Sequence, residues 1–189
     1  MIRYPAAMEP TFSLATLADV DVLHTLVNSA YRGDSSRQGW TTEADLLGGQ
    51  RIDPEGLREL ILQSEQKRIL CMRPPGASSG GEIWACVCLE RFEDNYGVGC
   101  YLGMLTVNPN MQTGGLGKAL MKKSEQVARE WGASRMTLGV INVRHELMAW
   151  YERRGYAKNG IKEPFPYGDE RFGKPNRNDL YFEMFEKAL

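Results

Sequence analysis

Residues 112–117 are Gln-Thr-Gly-Gly-Leu-Gly, and this glycine turn decides how the rest of the chain is interpreted. It follows a strand-like run at residues 98–107 and precedes a helical pattern at residues 116–131. The first backbone N–H groups of a helix lack intrahelical partners, and glycine lets a ligand approach the backbone closely. A strand, a glycine turn and a helix in this order therefore predict a binding site for an anionic group such as phosphate.

Two other glycine signatures do not fit this turn. A Walker A loop needs Ser or Thr after Gly-Lys, whereas Ala119 follows Gly117 and Lys118 here. A dinucleotide-binding fingerprint needs a third glycine, and the chain has Leu120 at that position. From these residues alone, a glycine-rich helix start without any ligand stays open as the alternative.

Strand and helix patterns alternate on both sides of the turn. Strands are predicted at residues 11–14, 69–72, 83–89, 98–107, 136–141 and 180–185. Helices are predicted at residues 20–31, 54–63, 116–131 and 146–154, with Asp19 and Asp53 as N-caps. Loops are predicted at residues 32–51, with one short helix near residues 41–47, and at residues 163–177. This order predicts one α/β or α+β domain on a mixed sheet over residues 1–189, with residues 1–10 as a flexible leader.

Composition excludes several classes of protein. The 23 Lys and Arg residues balance 24 Asp and Glu residues, so we expect no nucleic-acid partner. The four cysteines lack metal-ligand spacing, which predicts reduced thiols and no bound metal. The start shows no signal-peptide pattern, and no run of about 18 apolar residues occurs, so a cytoplasmic protein outside the membrane is expected.

Two separated motifs resemble the GNAT family of N-acetyltransferases. Leu105-Thr106-Val107-Asn108-Pro109 leads in register to Gln112-x-x-Gly115-x-Gly117, which is similar to the coenzyme A signature of that family. Downstream, Tyr151-Glu152-Arg153-Arg154-Gly155-Tyr156 is similar to the family's Tyr-Glu-x-x-Gly-Phe segment. The resemblance implies a mixed, mostly antiparallel sheet flanked by helices, in which the strand at residues 98–107 carries a bulge. It also implies that this strand splays from the one at residues 136–141, which leaves a wedge for acetyl-CoA.

The resemblance also implies which residues bind the coenzyme. Backbone groups freed in the wedge would bind the pantetheine arm and polarise the thioester carbonyl, and the helix start would bind the pyrophosphate. The residues in question are Leu105, Thr106, Val107, Gln112, Thr113, Gly114, Gly115, Leu116, Gly117 and Lys118.

Tyr151 occupies the position of the tyrosine that protonates the departing thiolate in the family. Helical spacing alone would favour a buried aromatic residue in this place. Many members have an asparagine seven residues earlier that contacts the pantetheine arm, where this chain has Arg144. Either Arg144 or Asn142 could replace this contact, and Asn142 is preferred. Capping of the following helix is an equally good interpretation of Asn142.

The base and the acceptor site are less constrained. Some members place a glutamate base where this chain has Tyr101, so the candidates for the base are Glu90, Glu43 and His145. In the loop after the first helix, Tyr31 and Trp40 are predicted to pack on the acceptor, and Glu43, Asp34 or Asp45 to attract its positive charge.

The resemblance implies transfer of an acetyl group from acetyl-CoA to a primary amine by direct attack in a ternary complex. A small-molecule acceptor is the leading hypothesis. The alternatives are acetylation of a protein lysine or N-terminus, and a non-catalytic module that only binds coenzyme A. A monomer or a homodimer is expected.

Overall fold

The computed structural model describes residues 9–170 and 173–189. The first half of the chain contains β1 (Thr11–Leu14), α1 (Val20–Tyr31), α2 (Gly33–Ser36), β2 (Leu47–Gly48), α3 (Pro54–Leu62), β3 (Lys67–Arg73) and β4 (Ala85–Asp94). The second half contains β5 (Gly97–Val107), α4 (Leu116–Glu130), β6 (Arg135–Ile141), α5 (His145–Glu152), β7 (Ala157–Pro164), β8 (Lys174–Pro175) and β9 (Tyr181–Ala188).

Seven strands form the main sheet in the order β1-β3-β4-β5-β6-β9-β7, and β2 pairs separately with β8. Only β5 and β6 are parallel, and the other pairs are antiparallel. The prediction of a mixed, mostly antiparallel sheet flanked by helices is therefore confirmed. None of the helices in the described ranges is long and apolar enough to cross a membrane.

The helices cover both faces of the sheet. Apolar residues of α1 and α3, such as Leu23 and Leu57, form one core with β3 and β4. Residues of α4 and α5, such as Leu120 and Met148, form the other core with β4, β5 and β6. Each of these four helices buries one apolar stripe, and the helix predictions rested on that spacing.

A bulge in β5 changes which face its side chains point to. Met104 and Leu105 together lie opposite Val87 of β4, and Met104 has a positive φ of 53°. Because side chains alternate along a strand, the extra residue brings Leu105 and Val107 to the same face as Leu102. The side chains of Leu105 and Val107 thereby pack against the core that includes residues of α4 and α5.

β5 and β6 pair only at one end. Residues 99–101 are in register with residues 135–137, and beyond them the two strands diverge. The bulge and the splayed strands that were predicted for this sheet are both present. They leave a wedge between residues 102–107 and residues 138–141.

Two predictions about local structure need correction. Asp53 caps α3 as predicted and accepts from the Gly56 N–H at 2.7 Å, but Asp19 does not cap α1 with its side chain. Asp19 is instead fully buried, because its carboxylate accepts from the buried guanidinium of Arg73 at 2.7 Å. In the first loop the short helix is α2, at the Gly33 turn, and residues 41–47 are not helical.

The largest element that the sequence analysis did not predict is β7, a strand at the edge of the sheet. All eight of its residues are exposed, so no apolar alternation marks it, and its register with β9 shifts between Lys158 and Lys162. The predicted loop at residues 163–177 contains β8, and residues 171–172 of that loop lie outside the described residues. The single-domain assignment stays a prediction, and its leader falls largely outside the described residues.

Candidate active site

The wedge opens into two adjoining cavities. The turn-side cavity has a volume of about 430 Å³ and lies between the glycine turn and the end of α5. The strand-side cavity has a volume of about 350 Å³ and lies between the divergent parts of β5 and β6. Five residues line both cavities, namely Tyr31, Leu105, Arg144, Leu147 and Tyr151. The two cavities therefore adjoin at these five residues, which form their junction.

The glycine turn forms one wall of the turn-side cavity. Thr113 and Gly115 both have positive φ, 67° and 83°, and α4 begins without a side-chain cap. Ala119 is the residue whose N–H bonds back to the Gly115 carbonyl at 3.0 Å, so the N–H groups before it have no intrahelical acceptor. These free donors and the positive end of the helix create a site for an anion.

Most of the residues predicted for the coenzyme line this cavity: Leu105, Thr106, Val107, Gln112, Thr113, Gly115, Leu116, Gly117 and Lys118. Gly114 does not, because it folds back so that its N–H donates to the Gln112 carbonyl at 2.7 Å. The Thr106 hydroxyl donates to the Met104 carbonyl at 3.0 Å, within the bulge.

Two arginines that the sequence analysis did not single out also line the turn-side cavity. Arg153 and Arg154 follow α5, and neither forms an ion pair with a described residue. The Arg154 guanidinium lies 3.4 Å from the centre of the Trp150 ring. Burial, and then the charge of Arg153, lower the pKa of Arg154. Two adjacent cations without acidic partners, next to Lys118, favour a ligand with several negative charges.

Gln112 ties the first loop to this cavity. Its side chain accepts from the Trp40 N–H at 2.9 Å and donates to the Val107 carbonyl at 3.2 Å. Trp40 thereby lines the turn-side cavity, with its ring 6.5 Å from that of Trp150. Trp40 does not line the strand-side cavity, and its predicted contact with an acceptor stays a prediction.

Tyr151 lies at the junction of the two cavities. Its side chain is buried, and its ring packs edge-on against Trp150 at 5.1 Å and Tyr156 at 5.9 Å. Its hydroxyl makes no hydrogen bond with another described residue. Burial raises the pKa of Tyr151 well above its usual value, so the phenol keeps its proton. A protonated, unbonded hydroxyl at the junction is available to a ligand.

Tyr31 is the second tyrosine at the junction. Its hydroxyl donates to the Leu105 carbonyl at 2.7 Å, one of the backbone groups released by the bulge. Burial, followed by the charge of Glu43, raises the pKa of Tyr31 to about 12. Tyr31 therefore holds the end of α1 against β5. It lines both cavities, so its predicted contact with an acceptor stays a prediction.

Glu43 lies at the centre of a buried ionic cluster in the strand-side cavity. Its two carboxylate oxygens accept from Arg32 at 2.6 Å and from Arg144 at 2.5 Å. Arg144 also donates to the Thr41 hydroxyl at 2.9 Å. Burial would raise the pKa of Glu43, but the charges of Arg144 and Arg32 outweigh it and hold the pKa below its usual value. Glu43 therefore stays ionised and is a weak proton acceptor.

The structure places the other candidate residues away from both cavities. Glu90 pairs with Lys67 at 3.3 Å on the surface of the sheet. The Asn142 side chain donates to the Asp179 carbonyl at 3.1 Å and accepts from the Tyr181 N–H at 3.1 Å, so it joins the start of β9 and does not cap α5. Arg144, not Asn142, lines the cavities.

The remaining candidates are exposed. His145, at the start of α5, lines neither cavity. Asp34 and Asp45 both pair with Arg37, at 3.5 Å and 2.7 Å.

Comparisons with known proteins agree with this architecture. A family model described as "Acetyltransferase (GNAT) family" matches residues 37–156. Amino-acid acetyltransferases of Pseudomonas putida strains GB-1 and KT2440 are each 32% identical over 148 residues, which cover 72% of this chain and 32% of the relative. The chain thus spans about a third of the length of the curated relatives it matches.

Solved structures show the same fold. The yncA protein of Salmonella typhimurium, solved with its cofactor acetyl-CoA, superposes with a TM-score of 0.66 at 17% identity, over 96% of this chain and 94% of that one. The ribosomal-protein-alanine N-acetyltransferase of Brucella melitensis gives a TM-score of 0.65 at 18% identity, over 95% and 99% of the two chains. Because the family model matches more than half of its residues, this chain belongs to the acetyltransferase (GNAT) family.

Proposed function

We propose that this protein is an acetyl-CoA-dependent N-acetyltransferase that acts on the primary amine of a small molecule. The observation that carries this proposal is the junction of two cavities at Tyr151. One cavity has the anion-binding turn and unpaired cations, and the other has its own charged groups. Two cosubstrates that enter from these two sides would meet with their reacting atoms beside the Tyr151 hydroxyl.

The turn-side cavity fits acetyl-CoA in its chemistry. The free N–H groups at the start of α4 suit a pyrophosphate, and Lys118, Arg153 and Arg154 suit the remaining phosphate charge. Leu105, Thr106 and Val107 would supply backbone partners for the pantetheine arm. When bound, acetyl-CoA supplies the activated acetyl group.

Direct attack by the amine is supported by the residues at the junction. None of the described residues that line the two cavities is a cysteine, serine or histidine. The described lining therefore lacks a Ser–His or Cys–His pair that would carry an acetyl group on the enzyme. We propose that the amine attacks the thioester in the ternary complex and that Tyr151 protonates the leaving sulfur.

Neither carboxylate that the sequence analysis put forward is retained as the base. Glu90 lies outside both cavities. Glu43 lines the strand-side cavity, but arginines occupy both of its carboxylate oxygens and lower its pKa, which makes it a weak base. We propose that Glu43 fixes the positions of Arg32 and Arg144.

The strand-side cavity favours a small acceptor over a protein. Its volume of about 350 Å³ suits one small molecule, and the buried Phe165 forms part of its wall. The name of the curated relatives, amino-acid acetyltransferase, is in line with a small acceptor. The test is incubation with acetyl-CoA and three acceptor sets, with release of free thiol as the readout. The sets are small amines, lysine peptides and peptides with a free N-terminus. Release with small amines supports the proposal, and release with peptides alone overturns it.

Acetyl-CoA is expected to raise the melting temperature of the protein. A ligand that binds only the native state stabilises it, by about 2.7 kcal/mol at a hundred times its Kd. Thermal unfolding with increasing acetyl-CoA measures this effect, and pantetheine, which lacks the phosphates, serves as the weaker control ligand. If millimolar acetyl-CoA gives no shift, the turn-side cavity does not bind it.

Gly117→Val is expected to remove most of that shift. A Cβ atom at residue 117 would lie 3.3 Å from the Trp150 ring and 3.6 Å from Val107, so the two further methyl groups of valine would displace the cavity wall. Gly117→Ala adds only the Cβ atom and is the matched control, which should keep most of the shift. Normal acetyl-CoA binding by a folded Gly117→Val variant would show that the ligand does not approach the turn at this point.

A further inference from the structure

The strand-side cavity carries more positive than negative charge. Its described lining includes three guanidinium groups, on Arg32, Arg51 and Arg144, and two carboxylates, on Glu43 and Glu163. Three positive and two negative charges leave one positive charge in excess. An acceptor that brought only an ammonium group would add to this excess. An acceptor that also carries an anionic group would leave this excess unchanged and could place its anion beside a positive group of the cavity.

The excess charge can be located, because two of the arginines are already paired. Arg32 and Arg144 share the Glu43 carboxylate, one on each oxygen. Arg51 forms no ion pair with a described residue and is half-buried, with its guanidinium 5.5 Å from the centre of the Tyr31 ring. A half-buried guanidinium without a carboxylate partner is a ready site for one.

The position of Arg51 is fixed by its backbone. The Arg51 N–H donates to the Asn28 side-chain oxygen at 2.7 Å. The amide nitrogen of Asn28 donates in turn to the Ile52 carbonyl and to the His24 carbonyl, both at 2.9 Å. Asn28 thereby clamps residues 51–52 to α1, so the start of the Arg51 side chain is held at the edge of the cavity.

A second donor in the cavity also lacks a partner. The Arg144 Nε–H is buried and makes no hydrogen bond with a described residue, although the two terminal nitrogens of the same side chain are bonded. A buried donor without a partner costs stability unless a ligand accepts from it. The two bonded terminal nitrogens hold Arg144 in place, so Arg51 is the guanidinium of the two that is open to an anionic group of the acceptor.

Glu163 gives the cavity an opposite pole. It lies near the end of β7, lines the cavity, is exposed and forms no ion pair with a described residue. Glu163 and Arg51 both act on the phenol of Tyr101. Burial raises the pKa of Tyr101, Glu163 raises it further, and Arg51 lowers it. Arg51, Glu163 and Tyr101 all line the strand-side cavity, so the two unpaired charges belong to the same site.

We propose that the acceptor is a small amino acid or a similar zwitterion, whose carboxylate binds Arg51 and whose amino group faces Glu163. This proposal rests on the N-acetyltransferase function proposed above. A zwitterion brings one charge of each sign, so each of its charges meets the unpaired group of opposite sign.

The test compares acceptors that differ only in the carboxylate. Each common L-amino acid is paired with its carboxamide and with its decarboxylated amine, and kcat/KM is measured with acetyl-CoA by thiol release. For the wild-type protein, the best amino acid should exceed its carboxamide by about 10- to 100-fold, the usual range for a hydrogen bond to a charged group. The carboxamide also mimics a peptide N-terminus, so this ratio separates a free amino acid from a protein acceptor.

Variants show which residues cause the preference for the amino acid over its carboxamide. Arg51→Met should lower kcat/KM for the amino acid by about tenfold or more and leave the carboxamide unchanged, so that their ratio approaches one. Arg58→Met, on the exposed side of α3, is the matched control and should change neither. Glu163→Gln should lower kcat/KM for both acceptors alike, since both present an amino group. The shift in melting temperature with acetyl-CoA should be the same in all three variants.

Two results would overturn the proposal. The first is that the wild-type protein, for which no variant has to fold, acetylates carboxamides or simple amines with the same kcat/KM as the amino acids. The second is that Arg51→Met lowers kcat/KM for the amino acid and for its carboxamide by the same factor. The absence of thiol release with every acceptor is a different result, because it would overturn the proposed acetyltransferase function itself.

Discussion

Replacing Glu43 with alanine is expected to lower the free energy of unfolding by about 3–5 kcal/mol, the usual effect of removing one partner from a buried ion pair. Glu43 is the shared partner of Arg32 and Arg144, and its side chain is only 8% exposed. Without it, two guanidinium groups would face each other at the cavity with no carboxylate between them. Urea denaturation followed by circular dichroism measures the change.

Glu90→Ala is the matched control, because Glu90 pairs with Lys67 at the surface with 42% of its side chain exposed. Removal of an exposed pair should cost about 1 kcal/mol or less. The comparison also decides between two roles of Glu43. If Glu43→Ala kept wild-type stability and lost most of its activity, Glu43 would return as the general base.

The pH dependence follows from the lowered pKa of Glu43. A carboxylate whose pKa is lower in the folded than in the unfolded protein stabilises the fold fully above its unfolded value, near 4.5. This contribution decreases as the pH falls through the folded pKa. Glu43 should therefore contribute to acid unfolding, and it should produce no change in kcat between about pH 5 and pH 8.

The sequence predicted those parts of the fold that repeat a local pattern. The glycine turn, the cap at Asp53 and the apolar stripe of α4 are each set by residues close together in the chain. The edge strand β7 escaped because all its residues are exposed, so burial leaves no alternation in its sequence. Asp19 was assigned as a cap because its partner Arg73 lies 54 residues away.

The charged groups of the strand-side cavity could not be predicted for the same reason. Arg32, Glu43, Arg51, Arg144 and Glu163 come from five separate segments, and only the fold brings them together. Glu43 was noticed as a carboxylate in a loop, but its two arginine partners were not foreseen. They change its chemistry from that of a candidate base to that of a fixed negative charge.

Tyr151→Phe should lower kcat by about a hundredfold, the lower end of the usual contribution of a general acid, and leave acetyl-CoA binding nearly unchanged. The reason is that the Tyr151 hydroxyl lies at the junction of the two cavities, makes no hydrogen bond with another described residue and keeps its proton. Phenylalanine preserves the ring and its packing on Trp150 and Tyr156. Steady-state kinetics with an accepted amine measures kcat, and the acetyl-CoA melting shift reports binding.

Tyr156→Phe is the matched control for this substitution, because it removes a hydroxyl that is bonded within the protein and lies outside the cavities. The Tyr156 hydroxyl is buried and bonded, to Glu125 at 3.2 Å and to the Met136 sulfur at 3.0 Å, and it lines neither cavity. Its loss should cost about 1–3 kcal/mol of stability and leave kcat near the wild-type value. Tyr151→Phe should show the reverse, with full stability and low kcat. If Tyr151→Phe kept the wild-type kcat, water or another side chain would protonate the sulfur. If Tyr151→Phe lost much of its stability, the Tyr151 hydroxyl would stabilise the fold.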